Sequence, residues 1–391
     1  MRLDGVRVLD LSRLLPGPYA TQLLADSGAE VVKIEDTGAG DYARFMGPET
    51  ARGFGVIFDM VNRGKRSVAI DLKSEDGRDA FYRLVEDADV VLEGFRPGVV
   101  DRLGVDYETL TEYNDELIYC SLTGYGQEGP WADRAGHDLN YVALAGLLDM
   151  TRESSDEKPQ MPGYPIGDMA GGLFTAFAVV EAVLARELGN SGGEYIDIAM
   201  ADVVASFAQP VAYQALTGDP AEPRPGATSL TGGVPWYDSY ETADGTWVTL
   251  AALEPQFWDA FCEAVGRTDL VDEHGSEDPD VLAALEDELR DLFRERTRDE
   301  WETQLADVDA AFAGVYSPAE MVDHPQFKDR GLLERSDDAP PRIGYPARHA
   351  TGSEATDEAV PSQGEHTRQY LADAGYDEEE IELLLESGVV R

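Results

Sequence analysis

The strongest constraint on this chain is a strand–helix–strand rhythm that occurs twice before residue 93. Residues 3–12 form a short apolar strand with a polar start. Pro16-Gly17-Pro18 breaks it, residues 19–27 have helical apolar spacing that stops at Gly28, and residues 31–35 are a second strand. Residues 68–72, 75–86 and 88–92 repeat the order. Short strands joined by crossover helices build a parallel sheet, which places the chain in the α/β class. Residues 117–122 and 195–199 add strands, and residues 169–188 and 202–217 add helices. The first strand–helix turn lacks a G-x-G-x-x-G, and the Gly-rich loop 123–130 lacks the G-K-[ST] ending of a P-loop.

Residues 218–225, rich in Pro and Gly, mark a domain boundary. Beyond it, residues 237–242 and 247–252 flank Asp244-Gly245, the signature of a hairpin. Helices at 257–265, 280–296 and 298–305 complete a smaller α+β domain. Ser317 opens a further helix that His324-Pro325 ends; 342–351 is irregular or extended, and 363–386 is a helical tail. The expected division is a large domain over 1–217, a small one over 226–325, and a segment, 326–391, that returns to the large domain.

Charge narrows the function. The 391 residues carry 77 Asp and Glu against 31 Lys and Arg, a net charge of −46 spread along the chain. Such a surface repels nucleic acid and anionic membranes. With 43% apolar residues in periodic order, the acidity reads as the solvated surface of a halophile-like protein that needs molar salt, not as disorder. Cys120 and Cys262 make neither a disulfide framework nor a zinc site. No signal peptide opens the chain and no apolar run reaches the ~18 residues of a membrane span, so a reducing cytoplasm is expected.

Candidate chemistry concentrates between Gly136 and Gly172. His137 is one of five histidines and the only one before residue 270; His274, His324, His349 and His366 lie in acidic or loop-like surroundings. A lone His is commonly structural, but an imidazole exchanges protons near neutral pH. Asp168 stands where a long apolar helix begins. It reads as an N-cap, beside helix N–H groups able to hold an enolate or acyl oxyanion. Gly171 and Gly172 permit close approach of a ligand. Arg63, Lys65, Arg66, Lys73, Arg96 and Arg102 either pair with nearby acids or form an anion site at strand ends. Glu254 is either a helix-start carboxylate or a partner that orients His137.

Pro16-Gly17-Pro18, the stretch 24–33, Asn62-Arg63-Gly64-Lys65-Arg66-Ser67, Asp71-Leu72-Lys73, Glu93-Gly94-Phe95-Arg96-Pro97-Gly98 and Thr123-Gly124-Tyr125-Gly126-Gln127 together resemble the CaiB/BaiF family of class III CoA-transferases and α-methylacyl-CoA racemases. The resemblance covers nearly the whole chain. It implies a Rossmann-like parallel-sheet large domain, a smaller α+β domain, and an interlocked homodimer of two ring-like subunits. It also implies CoA contacts at Ile70, Asp71, Leu72, Lys73, Gly94, Phe95, Arg96, Arg102, Gly136, Asp138, Leu139, Asn140 and Tyr141. One departure is Asp36, where some racemases carry an Arg.

In the transferase branch Asp168 would be the nucleophile; in the racemase branch Asp168 and His137 would be opposed bases, with Glu254 beside His137. Residues 136–141, 232–237 and 254–257 are similar to the racemase pattern. The expectation is therefore epimerisation of a 2-methylacyl-CoA through an enolate, and the alternative is CoA transfer between carboxylic acids. No metal or organic cofactor is implied; CoA enters as part of the substrate.

Overall fold

The computed structural model describes residues 2–152, 156–218, 225–226, 228–335, 341–348 and 359–391. His349 and most of the 218–225 boundary stretch lie outside the described residues. Contacts divide the chain into two compact units. One comprises Met1–Leu148, Met161–Gln209 and Gly331–Arg391; the other comprises Asp149–Gln160 and Pro210–Arg330.

The first unit is built on six strands, β1 (Arg7–Asp10), β2 (Glu30–Glu35), β3 (Arg66–Ala69), β4 (Val90–Glu93), β5 (Ile118–Thr123) and β6 (Glu194–Ala199), in the order β3-β2-β1-β4-β5-β6. Every pairing is parallel. Both faces are covered, which explains the near-continuous apolar runs of the central strands. On one face Val8, Leu92 and Cys120 meet the helices Pro16–Asp26 and Ile166–Glu187. On the other, Leu9, Val91 and Tyr119 share a core with Phe81 of the Glu75–Val85 helix. Tyr370, Leu371 and Ile381, from the helices Thr367–Asp373 and Glu378–Glu386, join that core.

Local chemistry accounts for the departures from expectation. Pro16 starts a helix as well as ending a strand, because its fixed φ suits the first helical turn. The helix expected over 202–217 is two, Met200–Ser206 and Tyr213–Thr217. The C-terminal tail breaks at Gly375, with φ +87°, and Asp377 caps its second half. His324 does not simply end a helix: its Nδ1 accepts the Gln326 N–H at 3.2 Å and caps Pro325–Asp329. The expectation that no segment is long and apolar enough to span a membrane is corrected by Ile166–Glu187, 22 residues that meet both criteria. Asp168, Glu181 and Arg186 interrupt the apolar run in sequence, yet one helix spans all three.

The second unit holds an antiparallel sheet of β7 (Tyr237–Glu241), β8 (Trp247–Ala251) and β9 (Phe312–Gly314), in that order. Gly245, with φ +76°, makes the tight turn between the first two. The third strand has three residues, too few to leave a period in the sequence. Trp258, Phe261, Phe293 and Trp301 are fully buried among the helices Pro255–Val265, Pro279–Phe293 and Arg298–Leu305.

An ion network lies inside the first unit, beneath the C-terminal ends of β1 and β2. The Lys65 ammonium donates to Thr21 Oγ1 at 2.7 Å, Pro18 O at 2.9 Å and Asn62 Oδ1 at 3.0 Å, and pairs with Asp10 Oδ2 at 3.3 Å. Lys33 Nζ donates to Ser12 O at 2.9 Å and pairs with Asp41 at 2.9 Å. Both lysines, Asp10 and Asp41 are buried. Burial opposes ionisation of Asp10, but Lys33 and Lys65, with the Ser12 and Thr21 hydroxyls, hold its carboxyl below the ordinary range. Burial, opposed by Asp10 and aided by Lys33, pulls Lys65 down to about 8. Removing one partner of such a set strands the others. Lys65→Met is expected to cost about 3–5 kcal/mol, read as a lower denaturant midpoint in molar salt. An unchanged midpoint would show that the network contributes nothing net.

Candidate active site

Strand order reverses between β1 and β4: β2 and β3 lie to one side, β5 and β6 to the other. In open α/β sheets the crevice outside the carboxyl ends of the strands at such a reversal binds ligands. Here it opens into a cavity of about 600 Å³. Leu11–Leu14 follow β1, Gly94–Pro97 follow β4 and Thr123–Tyr125 end β5; all line it, with His137, Asn140, Tyr141 and Asp168.

The loop after β1 is held from below. Asp10 accepts the Ser12 N–H and hydroxyl, and Asp41 Oδ1 accepts the Leu14 N–H at 3.2 Å. Leu14 has φ +67°, a left-handed conformation costly for a side-chain-bearing residue. The buried network thus supports a strained turn that sets Arg13 on the cavity wall. The Arg13 guanidinium lies 5.5 Å from the Phe95 ring centre and pairs with Asp36 at 3.3 Å.

The opposite wall depends on close packing around Tyr141. Its hydroxyl donates to Gly136 O at 2.7 Å, and its ring meets Tyr125 edge-on at 5.2 Å. A Cβ at Gly124 would come within 2.3 Å of the Tyr141 ring, and one at Gly136 within 2.7 Å, so both positions require glycine. The Gly136 backbone leads into His137, whose N–H donates to Asn140 Oδ1 at 3.1 Å as the helix Asp138–Leu144 begins.

Asp168 is the third residue of Ile166–Glu187, not its N-cap; Pro165 precedes the helix. The capping role falls to Asp138. Its Oδ1 accepts the Gly167 N–H at 2.6 Å and the Asp168 N–H at 3.1 Å. Ile166 N–H donates to Tyr164 O and Met169 N–H to Pro165 O. This corrects the expectation that these groups await an oxyanion: all four are engaged within the chain. Burial, then the charge of Asp138, pushes the Asp168 carboxyl up to about 7.

Of the residues matched to CoA contacts, Gly94, Phe95, Arg96, Gly136, Asn140 and Tyr141 line the cavity. Ile70, Asp71, Leu72, Lys73, Arg102, Asp138 and Leu139 lie outside its lining. Ile70 bridges to Val390, Asp71 N–H donates to Val389 O, and Arg102 belongs to the short helix Val99–Leu103. Of the candidate basic cluster, Arg63 and Lys65 are buried and ion-paired with Asp59 and Asp10, which removes them from an anion site. Glu254 lies in the second unit, immediately before the Pro255–Val265 helix. Sequence reasoning missed Arg13 and Arg134. The position of Arg13 just past a strand end was the available signal; Arg134 left none. No group of three His, Cys, Asp or Glu able to hold a metal occurs among the described residues.

The raised Asp168 carboxyl carries a stability signature. The native chain keeps a proton there between the ordinary aspartate range near 3.8 and about 7, where the unfolded chain has released it. Stability from this group therefore falls as pH rises through that window and falls no further above it. Asp168→Asn is expected to melt a few degrees above the parent at pH 8 and together with it below pH 3.8. Asp138→Ala is expected to cost about 1 kcal/mol through the lost cap and to move the upper edge of the window down. Parallel melting curves for the parent and Asp168→Asn across pH would exclude a raised Asp168.

The description CoA-transferase family III matches residues 3–367. The chain is 36% identical to a succinyl-CoA:mesaconate CoA-transferase of Haloarcula marismortui, over 96% of this chain and 97% of that protein. It is 34% identical to the human α-methylacyl-CoA racemase, over 97% and 95% of the two chains. Its fold is similar to a crystal structure of a CaiB/BaiF family protein from Brucella suis, with a TM-score of 0.82, 31% identity, and 95% and 99% coverage. A cavity at the sheet's switch point, a carboxylate on its wall and likeness along almost the whole length agree: the chain belongs to the CaiB/BaiF enzymes, CoA-transferase family III, whose substrates are acyl-CoA thioesters.

Proposed function

We propose that this enzyme is a class III CoA-transferase with Asp168 as its nucleophile. The observation that carries the reading is the charge of the cavity. In a chain of 77 acids, Asp168 is the one carboxylate among the described lining residues, against the guanidinium groups of Arg13, Arg96 and Arg134. That balance suits the phosphates of CoA and a carboxylate product.

Asp168 would attack the thioester carbonyl; the C–S bond breaks, CoA leaves as thiolate, and an acyl–aspartyl anhydride remains. The thiolate then attacks the aspartyl carbonyl, releasing the first carboxylate and leaving an Asp168–CoA thioester. An acceptor carboxylate reverses the sequence. The two acids belong to the class of small carboxylates, such as dicarboxylates, in keeping with the names of the transferase relatives.

A second reading is favoured by His137, which lines the same cavity as Asp168. The two could serve as opposed bases of a racemase. The motifs put this reading first. The transferase takes its place because the Haloarcula marismortui protein is the more similar of the two relatives, and because CoA transfer needs only Asp168. The thioester oxygen must find donors other than the occupied helix start in either scheme.

Incubation in molar salt and deuterium oxide with an acyl-CoA and a labelled acid separates the two. Label in the thioester, an Asp168-linked hydroxamate on adding hydroxylamine, and at least a ~10³-fold loss in Asp168→Asn are expected. His137→Ala should retain label transfer within about tenfold. Deuterium at the α-carbon without label transfer, lost in His137→Ala, would replace the first reading with the second.

We also propose that two copies form the interlocked homodimer of the family. Leu173, Phe174, Phe177 and Leu184 stand 43–60% exposed along Ile166–Glu187, an apolar strip that a second chain would cover. The net charge of −46 points to a requirement for molar salt. Light scattering across a KCl series should give the mass of two chains at molar salt; a single-chain mass there would sink the dimer.

A further inference from the structure

Three strands place a polar row across the sheet at the edge of the cavity. Register puts Glu93 of β4 opposite Ser121 of β5, and Ser121 opposite Asp197 of β6. Glu93 is 1% exposed. Its Oε2 accepts the Phe95 N–H at 2.6 Å, and Oε1 has no hydrogen-bond partner among the described residues. Ser121 Oγ accepts from the Tyr195 hydroxyl at 3.1 Å, and Asp197 Oδ2 accepts the Gln127 N–H at 3.0 Å. The row therefore grips both loops of the cavity floor: Gly94–Pro97 through Glu93, and the loop running from Thr123 to Gln127 through Asp197.

A buried acid bonded to one backbone N–H, with its second oxygen unpaired, is costly to keep and needs a reason. A separate hollow of about 210 Å³, lined by Ser121, Tyr195, Tyr119, Gln127, Asp101 and Asp106, reaches the row. The groups around Glu93 are Ser121, Tyr119 and Cys120 on β5, Asp197 and Tyr195 on β6, and Asp101 on the Val99–Leu103 helix; the β1–β4 register ends one residue before it, at Asp10 and Leu92. No cation is among them. Burial, with Asp197 and Asp101 adding repulsion against the nearby Ser121 hydroxyl and the Phe95 N–H, pushes the Glu93 carboxyl up to about 7.

We propose that Glu93 is a positioning residue whose proton sets how firmly the Gly94-Phe95-Arg96 turn is held, and thereby how well the cavity binds the CoA moiety. This rests on the acyl-CoA reading of the cavity. Ionised, Glu93 makes a charge-assisted bond to Phe95 N–H, roughly twice as strong as its neutral counterpart. The turn tightens, and Arg96 is held on the wall. Protonated, it leaves the turn looser. Affinity for CoA therefore rises with pH through neutrality, in KM and not in kcat.

The test measures free CoA binding and backbone amide exchange in the intact protein, in molar salt. Because Asp168 on the cavity wall also titrates near 7, the comparison is made in Asp168→Asn, where adding Glu93→Gln should sharply reduce the difference in CoA affinity between pH 6 and pH 8. Glu93→Ala should weaken CoA binding about tenfold and speed exchange at Phe95 and Arg96, with exchange in β1 and β5 unchanged. In turnover, Glu93→Gln should move the pH profile of KM and leave that of kcat in place, which loss of packing alone would not do. The proposal is overturned if the parent binds CoA and adding Glu93→Gln to Asp168→Asn keeps the same pH response, or if exchange at Phe95 is unaltered in Glu93→Ala. If the parent binds no CoA while Phe95 exchange still follows Glu93, the acyl-CoA reading is what fails, and the ligand half of this inference with it.

Discussion

The cost of holding charge away from water organises the first unit of this protein. Lys33, Lys65, Asp10 and Asp41 are all buried, and each stays in place because the others neutralise it. Their reach is wider than their own stability. Asp10 and Asp41 hold the backbone after β1, including Leu14 at φ +67°. That turn sets one wall of the cavity. The order of dependence runs from a desolvated ion set, to a strained loop, to an arginine on the cavity wall.

A related economy governs the cavity itself. The surface is overwhelmingly acidic, yet the lining carries guanidinium groups and a single carboxylate. Among the described residues no cation pairs with Asp168. The chain spends Asp138 on the N–H groups of the helix start, and the resulting negative neighbour, added to burial, keeps the Asp168 proton near neutral pH. A carboxyl poised there exchanges its proton near neutral pH, and only its ionised form is basic or nucleophilic. Glu93, below the floor, reaches a similar state by a similar route, with no direct face on the cavity.

Much of this was legible in the residues. Short apolar runs alternating with helical spacing gave the parallel sheet, and each of its six strands falls on an expected one to within a few residues. The Asp-Gly turn gave the β7–β8 hairpin. What misled were features whose sense depends on distant partners. Asp168 looked like a cap because it stands beside a helix start; the cap is Asp138, thirty residues earlier in the chain. Arg63 and Lys65 looked like an anion site because basic residues are scarce here; they face Asp59 and Asp10 in the interior. The three residues of β9 were invisible, since a strand that short has no period of its own.

By itself, then, the order of residues determined the alternation of strands and helices, the kinship, and the carboxylate and imidazole worth watching. These are local properties: spacing, turn chemistry and runs of matched residues survive in one dimension. Tertiary structure decided which charges are internal, which line the cavity, and which acid caps which helix. Those depend on burial and on which strand ends converge at the switch between β1 and β4. Both are set by residues far apart in the chain, because exclusion of water is a property of the packed whole and not of any segment.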